Sequence, residues 1–471
     1  MADKKKILIF SGQMRGGYRW GLFAEMLNRL IEDENNEVYV LSCHKAISTI
    51  CWTDKRKLFG YCRRCYPVCE KIAAELKSPQ IKLLTMKKYK APKFPKFETL
   101  EEALEFSYEG YQYGVGPVSS CMSISRDYNF DIKIHQKNIQ SMMQTEYIMI
   151  KNLEELDQIY NFDEIWTFNG RAPIAYACLS YCRKHNKHTG LWEVAANDKK
   201  ILVLKDLIIH EVEDFKKRVQ ICWENATEDK YEIAAKWFTD RRAGKRQQID
   251  SFTKDQLKGS LPDGFDFDRE NIAFFNSSID EIYAFKSWVH PVFGFGEDLI
   301  RKVLEHFKDD ANKHFYLRVH PNLRSAKKNN TSQMQEIAEL KKLYKNLTVI
   351  EPDEKIDTYA LMEACDKIVV CNSTIGCEST FWGKVAISAG KSPYEDLDAA
   401  YNPADYEELY KLIADKNLPP KAKENSCIYG YFLAVMGEDN KYFKVDSFGK
   451  GTFNNFTVNK RDLFLGDKKI F

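Results

Sequence analysis

Cys365-Asp366-Lys367-Ile368-Val369-Val370-Cys371-Asn372-Ser373-Thr374-Ile375-Gly376-Cys377-Glu378, followed by Phe381-Trp382-Gly383-Lys384-Val385-Ala386-Ile387-Ser388, reads as strand, polar loop, helix, strand. The run Ile368–Val370 suits a strand buried on both faces, the signature of a parallel sheet between two helical layers. Ser373 and Thr374 open the next helix, where unpaired N–H groups and a Gly at 376 allow an anion to approach the backbone. Glu378 falls about one turn further on, where a carboxylate accepts from ribose hydroxyls. The stretch therefore predicts a phosphate seat in a nucleotide site, although Ser373 and Thr374 also suit plain helix capping.

The same strand-helix rhythm extends in both directions. Upstream lie Asn271–Phe275, Phe315–Val319 and Leu347–Ile350, with helices near Glu297–Phe307, Met334–Tyr344 and Thr358–Cys365. The first half repeats it with strands at Lys6–Phe10, Glu37–Ser42, Ile81–Thr85, Glu164–Phe168 and Gly190–Val194. A chain of 471 residues exceeds what one core supports, so two domains are expected. The predicted fold class is α/β, two tandem doubly wound Rossmann-like domains with a central cleft. Residues 1–205 form the first domain, 206–270 a helical and linker hinge, 271–400 the second domain, and 401–471 a helical and irregular tail that could cross back.

A net charge of +2 gives no global pull toward nucleic acid, and no apolar run approaches the ~20 residues that span a bilayer. Met1-Ala-Asp-Lys-Lys-Lys6 leads directly into a strand, so no export signal is read. With 13 cysteines and no such signal, reduced thiols in the cytoplasm are expected.

Open α/β sheets bind ligands beyond the carboxyl ends of their strands, which turns strand ends into candidate sites. His320 follows Phe315–Val319, and Pro321 stops the strand there, so the imidazole should stand over the cleft. Ser277 and Ser278 follow Phe274-Phe275-Asn276 and suit phosphate binding or a capping box with Glu281. In the first half Gln13, Arg15 and Gly16 form a flexible turn, and Arg171 follows Asn169-Gly170; these residues and Arg126 are candidates for acceptor or sugar binding. Gln13-Met14-Arg15-Gly16-Gly17 lacks the spaced glycines of dinucleotide enzymes, which disfavours an oxidoreductase. Arg126 beside Asp127 suggests a poised carboxylate, with Asp127 as base or nucleophile and Glu193 as the reserve. Cys43, Cys51, Cys62 and Cys65, with Cys69 as alternate, allow a structural zinc knuckle, since Cys62-Arg63-Arg64-Cys65 lets two thiolates meet one metal.

Phe274-Phe275-Asn276-Ser277-Ser278, His320-Pro321 and Asn372-Ser373-Thr374-Ile375-Gly376-Cys377-Glu378 leading to Gly383-Lys384-Val385 resemble, in order and spacing, the capsule polysaccharide biosynthesis proteins that include bacterial β-Kdo glycosyltransferases. The resemblance covers roughly residues 270–395. Bulk at Ser379-Thr380-Phe381-Trp382 and the cysteine cluster depart from the family's pattern. The resemblance implies a GT-B type glycosyltransferase that takes a nucleotide sugar, CMP-activated and Kdo-like in preference to UDP-activated, and a glycan or lipid-linked glycan acceptor at the inner membrane face. It further implies that His320, Ser373 and Thr374 meet the donor phosphate and Glu378 its ribose, with no catalytic metal required. A nucleotide-sugar epimerase and a non-catalytic binding module of a capsule assembly complex are the alternatives.

Overall fold

Buried parallel strands organise both halves of the chain. The computed structural model describes residues 4–10, 17–47, 49, 51, 58–197, 199–245, 253, 255–328, 330–447, 450–459, 463–465 and 468–469; the side chains of 17–18, 58–64, 447, 463–465 and 468–469 fall outside that description. The chain divides into two units, one of Met1–Ile124, Asp131–Ile209 and Gly437–Phe471, the other of Ser125–Phe130 and His210–Met436.

The first unit runs β1 (Lys5–Phe10), α1 (Gly17–Ile31), β2 (Asn36–Ser42), α2 (Leu58–Glu75), β3 (Ile81–Thr85), α3 (Leu100–Glu105), β4 (Ser107–Tyr108), β5 (Tyr111–Gln112), α4 (Val115–Ser125), α5 (Ile132–Tyr160), β6 (Glu164–Phe168), α6 (Pro173–His185), β7 (His188–Val194) and β8 (Lys200–Lys205). After the second unit the chain adds β14 (Glu438–Asp439) and an antiparallel sheet of β15 (Lys444–Ser447), β16 (Lys450–Phe453), β17 (Phe456–Val458), β18 (Leu463–Leu465) and β19 (Lys468–Lys469). The main sheet has the order β14-β8-β7-β6-β1-β2-β3, parallel from β7 to β3, with β8 and β14 antiparallel at one edge. Residues 437–443 return to this unit because the buried Glu25 carboxylate needs donors: it accepts the N–H groups of Lys441, Tyr442 and Phe443 at 2.9, 2.7 and 2.8 Å.

The second unit contains α7 (Val212–Glu224), α8 (Lys230–Arg242), β9 (Glu270–Phe275), α9 (Gly296–His306), β10 (Lys313–Arg318), α10 (Arg324–Lys328), α11 (Ser332–Leu343), β11 (Leu347–Ile350), α12 (Thr358–Ala364), β12 (Lys367–Val370), α13 (Ile375–Phe381), β13 (Val385–Ser388), α14 (Tyr406–Ala414) and α15 (Lys423–Val435). Its sheet, β11-β10-β9-β12-β13, is wholly parallel. Residues alternate along β9: Ile272 and Phe274 enter one core, Ala273 and Phe275 another. Both faces of the sheet are thus covered, as a doubly wound unit requires. Because β9 adjoins both β10 and β12, the strand order reverses there, and the carboxyl ends of these three strands meet at the switch point. Both halves are therefore Rossmann-like α/β units, in agreement with the strand rhythm of the sequence.

Residues 206–270, expected as a hinge, differ from that expectation. Val219, Ala234, Trp237 and Phe238 of α7 and α8 share a core with Cys377, Phe381, Tyr429 and Phe432. The Phe238 and Phe381 rings stack with centroids 4.1 Å apart. Charged outer faces give these helices a linker-like composition, whereas one apolar stripe on each binds them to the second unit.

In the first sheet Gly190 on β7 lies under the Trp166 indole of β6; a Cβ there would stand 1.9 Å from Trp166 Cδ2. Gly190→Ala is expected to destabilise the first unit by about 1–3 kcal/mol, the usual cost of overpacking. Urea unfolding followed by tryptophan fluorescence measures this, and an unchanged midpoint contradicts it.

Candidate functional site

The switch point of the second unit is built from polar residues that leave three strands together. Ser277 Oγ, after β9, donates to the carbonyl oxygens of Cys371 and Asn372 after β12, at 2.9 and 2.8 Å. The Asn276 side chain accepts the His320 N–H at 2.9 Å and donates to Glu297 Oε1 at 2.9 Å, which fixes the end of β10 against β9. Gln333 of α11 donates to the same Glu297 oxygen and to Ser277 O, both at 2.8 Å. Burial pushes the Glu297 carboxyl up to about 7, so it keeps its proton to near neutrality.

His320 stands at the centre. Its Nδ1 accepts the Asn322 N–H at 3.2 Å, which assigns the ring proton to Nε2. Burial, then the charges of Arg241, Arg126 and Arg318, lower its pKa to about 4. A neutral imidazole that donates from Nε2 amid three guanidinium groups suits an anionic ligand.

The loop after β12 splits the expected hydroxyl set. Thr374 Oγ1 donates to Glu378 Oε1 at 3.0 Å. Ser373 Oγ accepts the Ile375 N–H at 3.4 Å, and among the described residues its hydroxyl hydrogen has no acceptor. Ser278 Oγ donates to Asp280 Oδ1 at 3.0 Å. Of the four hydroxyls expected to bind phosphate, Ser277, Ser278 and Thr374 are committed to protein partners and Ser373 remains available. Pro321 opens a short 3-10 turn, Pro321–Leu323, that holds the imidazole at the strand end. Gly376 is required sterically, since a Cβ would lie 2.6 Å from Tyr394 Oη and 2.8 Å from Val370 Cγ2.

Glu378 is corrected as a ribose ligand. It is 1% exposed, and its oxygens accept from Arg241 Nε at 2.9 Å, Thr374 Oγ1 at 3.0 Å and Tyr359 Oη at 2.5 Å. A carboxylate so enclosed cannot reach a sugar.

Asp127 also differs from the poised group expected. Its Oδ2 accepts from the Ser332 N–H and hydroxyl, both at 3.2 Å, and its Oδ1 from the Asn129 N–H at 3.1 Å, so it pins Ser125–Phe130 to the start of α11. Arg126, with a positive φ of 58°, turns away from Asp127 and pairs with Asp280 at 2.9 Å while reaching Ser278 Oγ and Asn322 O at 3.4 and 3.5 Å. Arg126, expected at an acceptor site, therefore joins the switch-point cluster of the second unit. Arg241 was missed because its helix reads as linker.

In the first unit the carboxyl ends of β6 and β7 bring Asn169, Arg171 and Glu193 together. Asn169, at φ 62°, accepts the Arg171 N–H at 3.2 Å and donates to Glu193 Oε2 at 2.6 Å. Burial raises the Glu193 pKa above the ordinary carboxylate value, against the opposing Val194 N–H and Arg19 charge. Gln13, Arg15 and Gly16 lie outside the described residues.

The Cys62 side chain also lies outside the description, and with it the complete zinc set. Cys69 is buried in the first core and its thiol donates to Cys65 O at 3.3 Å; among the described residues no group of three or more metal-binding side chains gathers. Also among the described residues, no helix is long and apolar enough to cross a membrane.

Residues 288–397 match the family model described as capsule polysaccharide biosynthesis protein. The matched stretch holds His320, Pro321, Ser373, Thr374, Gly376 and Glu378, so the family resemblance stands over this segment. No curated protein matches the chain in sequence. Among solved structures, the β-Kdo 2,4 transferase KpsC of Thermosulfurimonas dismutans is similar at 14% identity and a TM-score of 0.39, over 65% of this chain and 92% of its own. S. aureus MnaA, solved with UDP, aligns at 13% identity and 0.30 over 91% and 94%. The UDP-GlcNAc 2-epimerase of Neisseria meningitidis aligns at 13% and 0.29 over 90% and 98%. At these TM-scores the likenesses carry no functional argument.

The His320 environment has a measurable sign. The unfolded chain takes a proton near pH 6.5, whereas the folded imidazole resists it to about 4. The unfolded state then binds more protons, and this group's contribution to stability falls as pH drops through that window. Between pH 6.5 and 4, wild type is expected to lose up to about 1.4 kcal/mol per pH unit more than His320→Asn. Parallel urea curves for both proteins test this, and identical pH slopes contradict it.

Proposed function

We propose that this protein is a glycosyltransferase of capsule polysaccharide assembly that moves a sugar from a nucleotide-activated donor to a glycan acceptor. The observation that carries the reading is the neutral imidazole of His320, proton on Nε2, held at the switch point among three guanidinium groups and in one unit with the Ser373 hydroxyl. Such a group donates a hydrogen bond to a phosphate oxygen and stabilises the charge that grows as the phosphate departs. The family match over residues 288–397 supports the capsule assignment.

In the proposed reaction the acceptor hydroxyl oxygen bonds to the anomeric carbon while the bond from that carbon to the phosphate oxygen breaks. The electron pair leaves with the nucleotide, whose charge His320 and Ser373 stabilise. The hydroxyl proton passes to a carboxylate. We assign this base to Glu193, whose raised proton affinity suits the task, with Arg171 on the acceptor side. Asp127 is set aside because its oxygens already accept three hydrogen bonds. A single displacement of this kind inverts the anomeric centre.

The finer reading follows the sequence resemblance: the donor is a CMP-activated, Kdo-like acidic sugar, and the acceptor a surface or lipid-linked glycan met at the cytoplasmic membrane face. A structural zinc held by the cysteine cluster remains part of the proposal and takes no part in the chemistry.

A thermal-shift panel of CMP, CDP, UDP, GDP and their sugar conjugates tests the donor, because a ligand at 100 times its Kd stabilises the native state by about 2.7 kcal/mol. The expected result is a CMP-selective rise in Tm that His320→Ala abolishes. A UDP or GDP preference overturns the CMP assignment, conversion of a UDP-sugar without acceptor favours an epimerase, and no shift with any nucleotide removes the donor site.

A further inference from the structure

Helix α8 ends beside the donor site, and its penultimate residue has a geometry that the family-like motifs do not account for. Arg241 Nε donates to Glu378 Oε1 at 2.9 Å, and its guanidinium carbon lies 5.3 Å from the Trp237 ring centroid. Glu378 is itself held by Thr374 Oγ1 and Tyr359 Oη. The carboxylate of α13 that holds one edge of the guanidinium is therefore itself fixed by α12 through Tyr359 and by the loop after β12 through Thr374. Among the described residues, Nη1 and Nη2 of Arg241 hold no hydrogen bond, and the side chain is 27% exposed.

The two other cations that act on His320 are engaged at their tips. Arg126 Nη1 meets Asp280 and Nη2 reaches Ser278 Oγ and Asn322 O. Arg318 is buried, with Nη1 and Nη2 on the carbonyl oxygens of Glu351 and Glu354 at 2.8 and 3.2 Å. Of the three, Arg241 also has the largest charge effect on the imidazole. A guanidinium anchored through Nε presents its remaining N–H groups as a rigid fork matched to two oxygens of one phosphate.

Building on the donor-site reading above, we propose that Arg241 grips the phosphate of the nucleotide donor through Nη1 and Nη2, and that Glu378 and Tyr359 are positioning residues that aim it. Glu378 then serves the nucleotide through the arginine and not through the ribose. Its place one turn after Thr374 is explained by the need to hold both the loop hydroxyl and the α8 guanidinium. The ligand class is a phosphate ester, with Arg241 indifferent to the base attached.

The test separates phosphate from nucleoside. Calorimetric titrations use CMP, UMP and GMP with the parent nucleosides cytidine, uridine and guanosine on wild type, Arg241→Lys, Glu378→Gln and the double variant Arg241→Gln/Glu378→Gln. The lysine keeps a cation beside Glu378 without the fork, and the double variant removes both charges together, so an unpaired buried carboxylate is avoided. Wild type is expected to bind its preferred monophosphate at least about tenfold more tightly than the nucleoside, the scale of one charge-assisted contact. Arg241→Lys and the double variant should keep the nucleoside affinity and lose most of that advantage, with melting curves that remain cooperative. Glu378→Gln alone should lose part of it, which a merely structural glutamine effect on both ligands alike would not produce. An advantage retained in full by both Arg241 variants overturns the inference while leaving the donor site intact. Failure of wild type to bind any of the monophosphates overturns the donor-site reading and the inference with it.

Discussion

A carboxylate that is almost completely buried must be paired, because the desolvation it suffers amounts to several kcal/mol per ion. Glu378 is such a group, and much of the second unit is arranged around its satisfaction. Arg241 reaches it from α8, Tyr359 from α12 and Thr374 from the loop after β12. Those bonds complement the apolar packing of Phe238 on Phe381 and bind α8 to α13. They also divide the loop: Thr374 is turned inward to Glu378, while among the described residues the Ser373 hydroxyl hydrogen has no acceptor. A residue that looks from its position like a sugar ligand is thus the internal support of the site.

A second constraint acts on His320. The imidazole is held from one side by the Asn322 N–H on Nδ1 and its backbone by Asn276, which leans on Glu297 and Gln333. The Glu297 carboxyl remains protonated to about pH 7 and Glu336 is also shifted upward by burial, so the support beneath the strand ends carries less negative charge than its composition suggests. Hydrogen bonding fixes the tautomer, while burial and then the surrounding charge fix the protonation state, and all favour a neutral donor.

The placement of strands was legible because buried parallel strands are short apolar runs bounded by polar turns. Ile368–Val370, Phe315–Val319 and Ile272–Phe275 could hardly read otherwise, and their carboxyl ends led directly to His320 and Ser373. Two parts of the site were not legible. Arg241 sits on a helix rich in Lys, Arg, Asp and Glu, whose burial depends on a stripe of Ala234, Trp237 and Phe238 finding α13 and α15, elements nearly 140 to 200 residues away. Ser125–Phe130 is a short connection between α4 and α5 of the first unit that belongs by its contacts to the second. Local sequence contains no sign of that exchange; Arg126 and Asp127 look like one ion pair, and only the positive φ of Arg126 sends the two side chains to different partners.

The proposed choice of base likewise rests on satisfaction rather than on sequence neighbours. Asp127 accepts three bonds, two from Ser332 and one from Asn129, which hold it in place. Glu193 is different: burial raises its proton affinity, the Asn169 amide and the Val194 N–H orient it, and the Arg19 and Arg171 charges limit the rise. The raised proton affinity of Glu193 is what the proposed base requires, whereas the Asp127 carboxylate is spent on holding its segment in place. The strand-end rule locates both units' candidate residues, but it is the count of hydrogen bonds already spent by each side chain that separates those that support from those that can react.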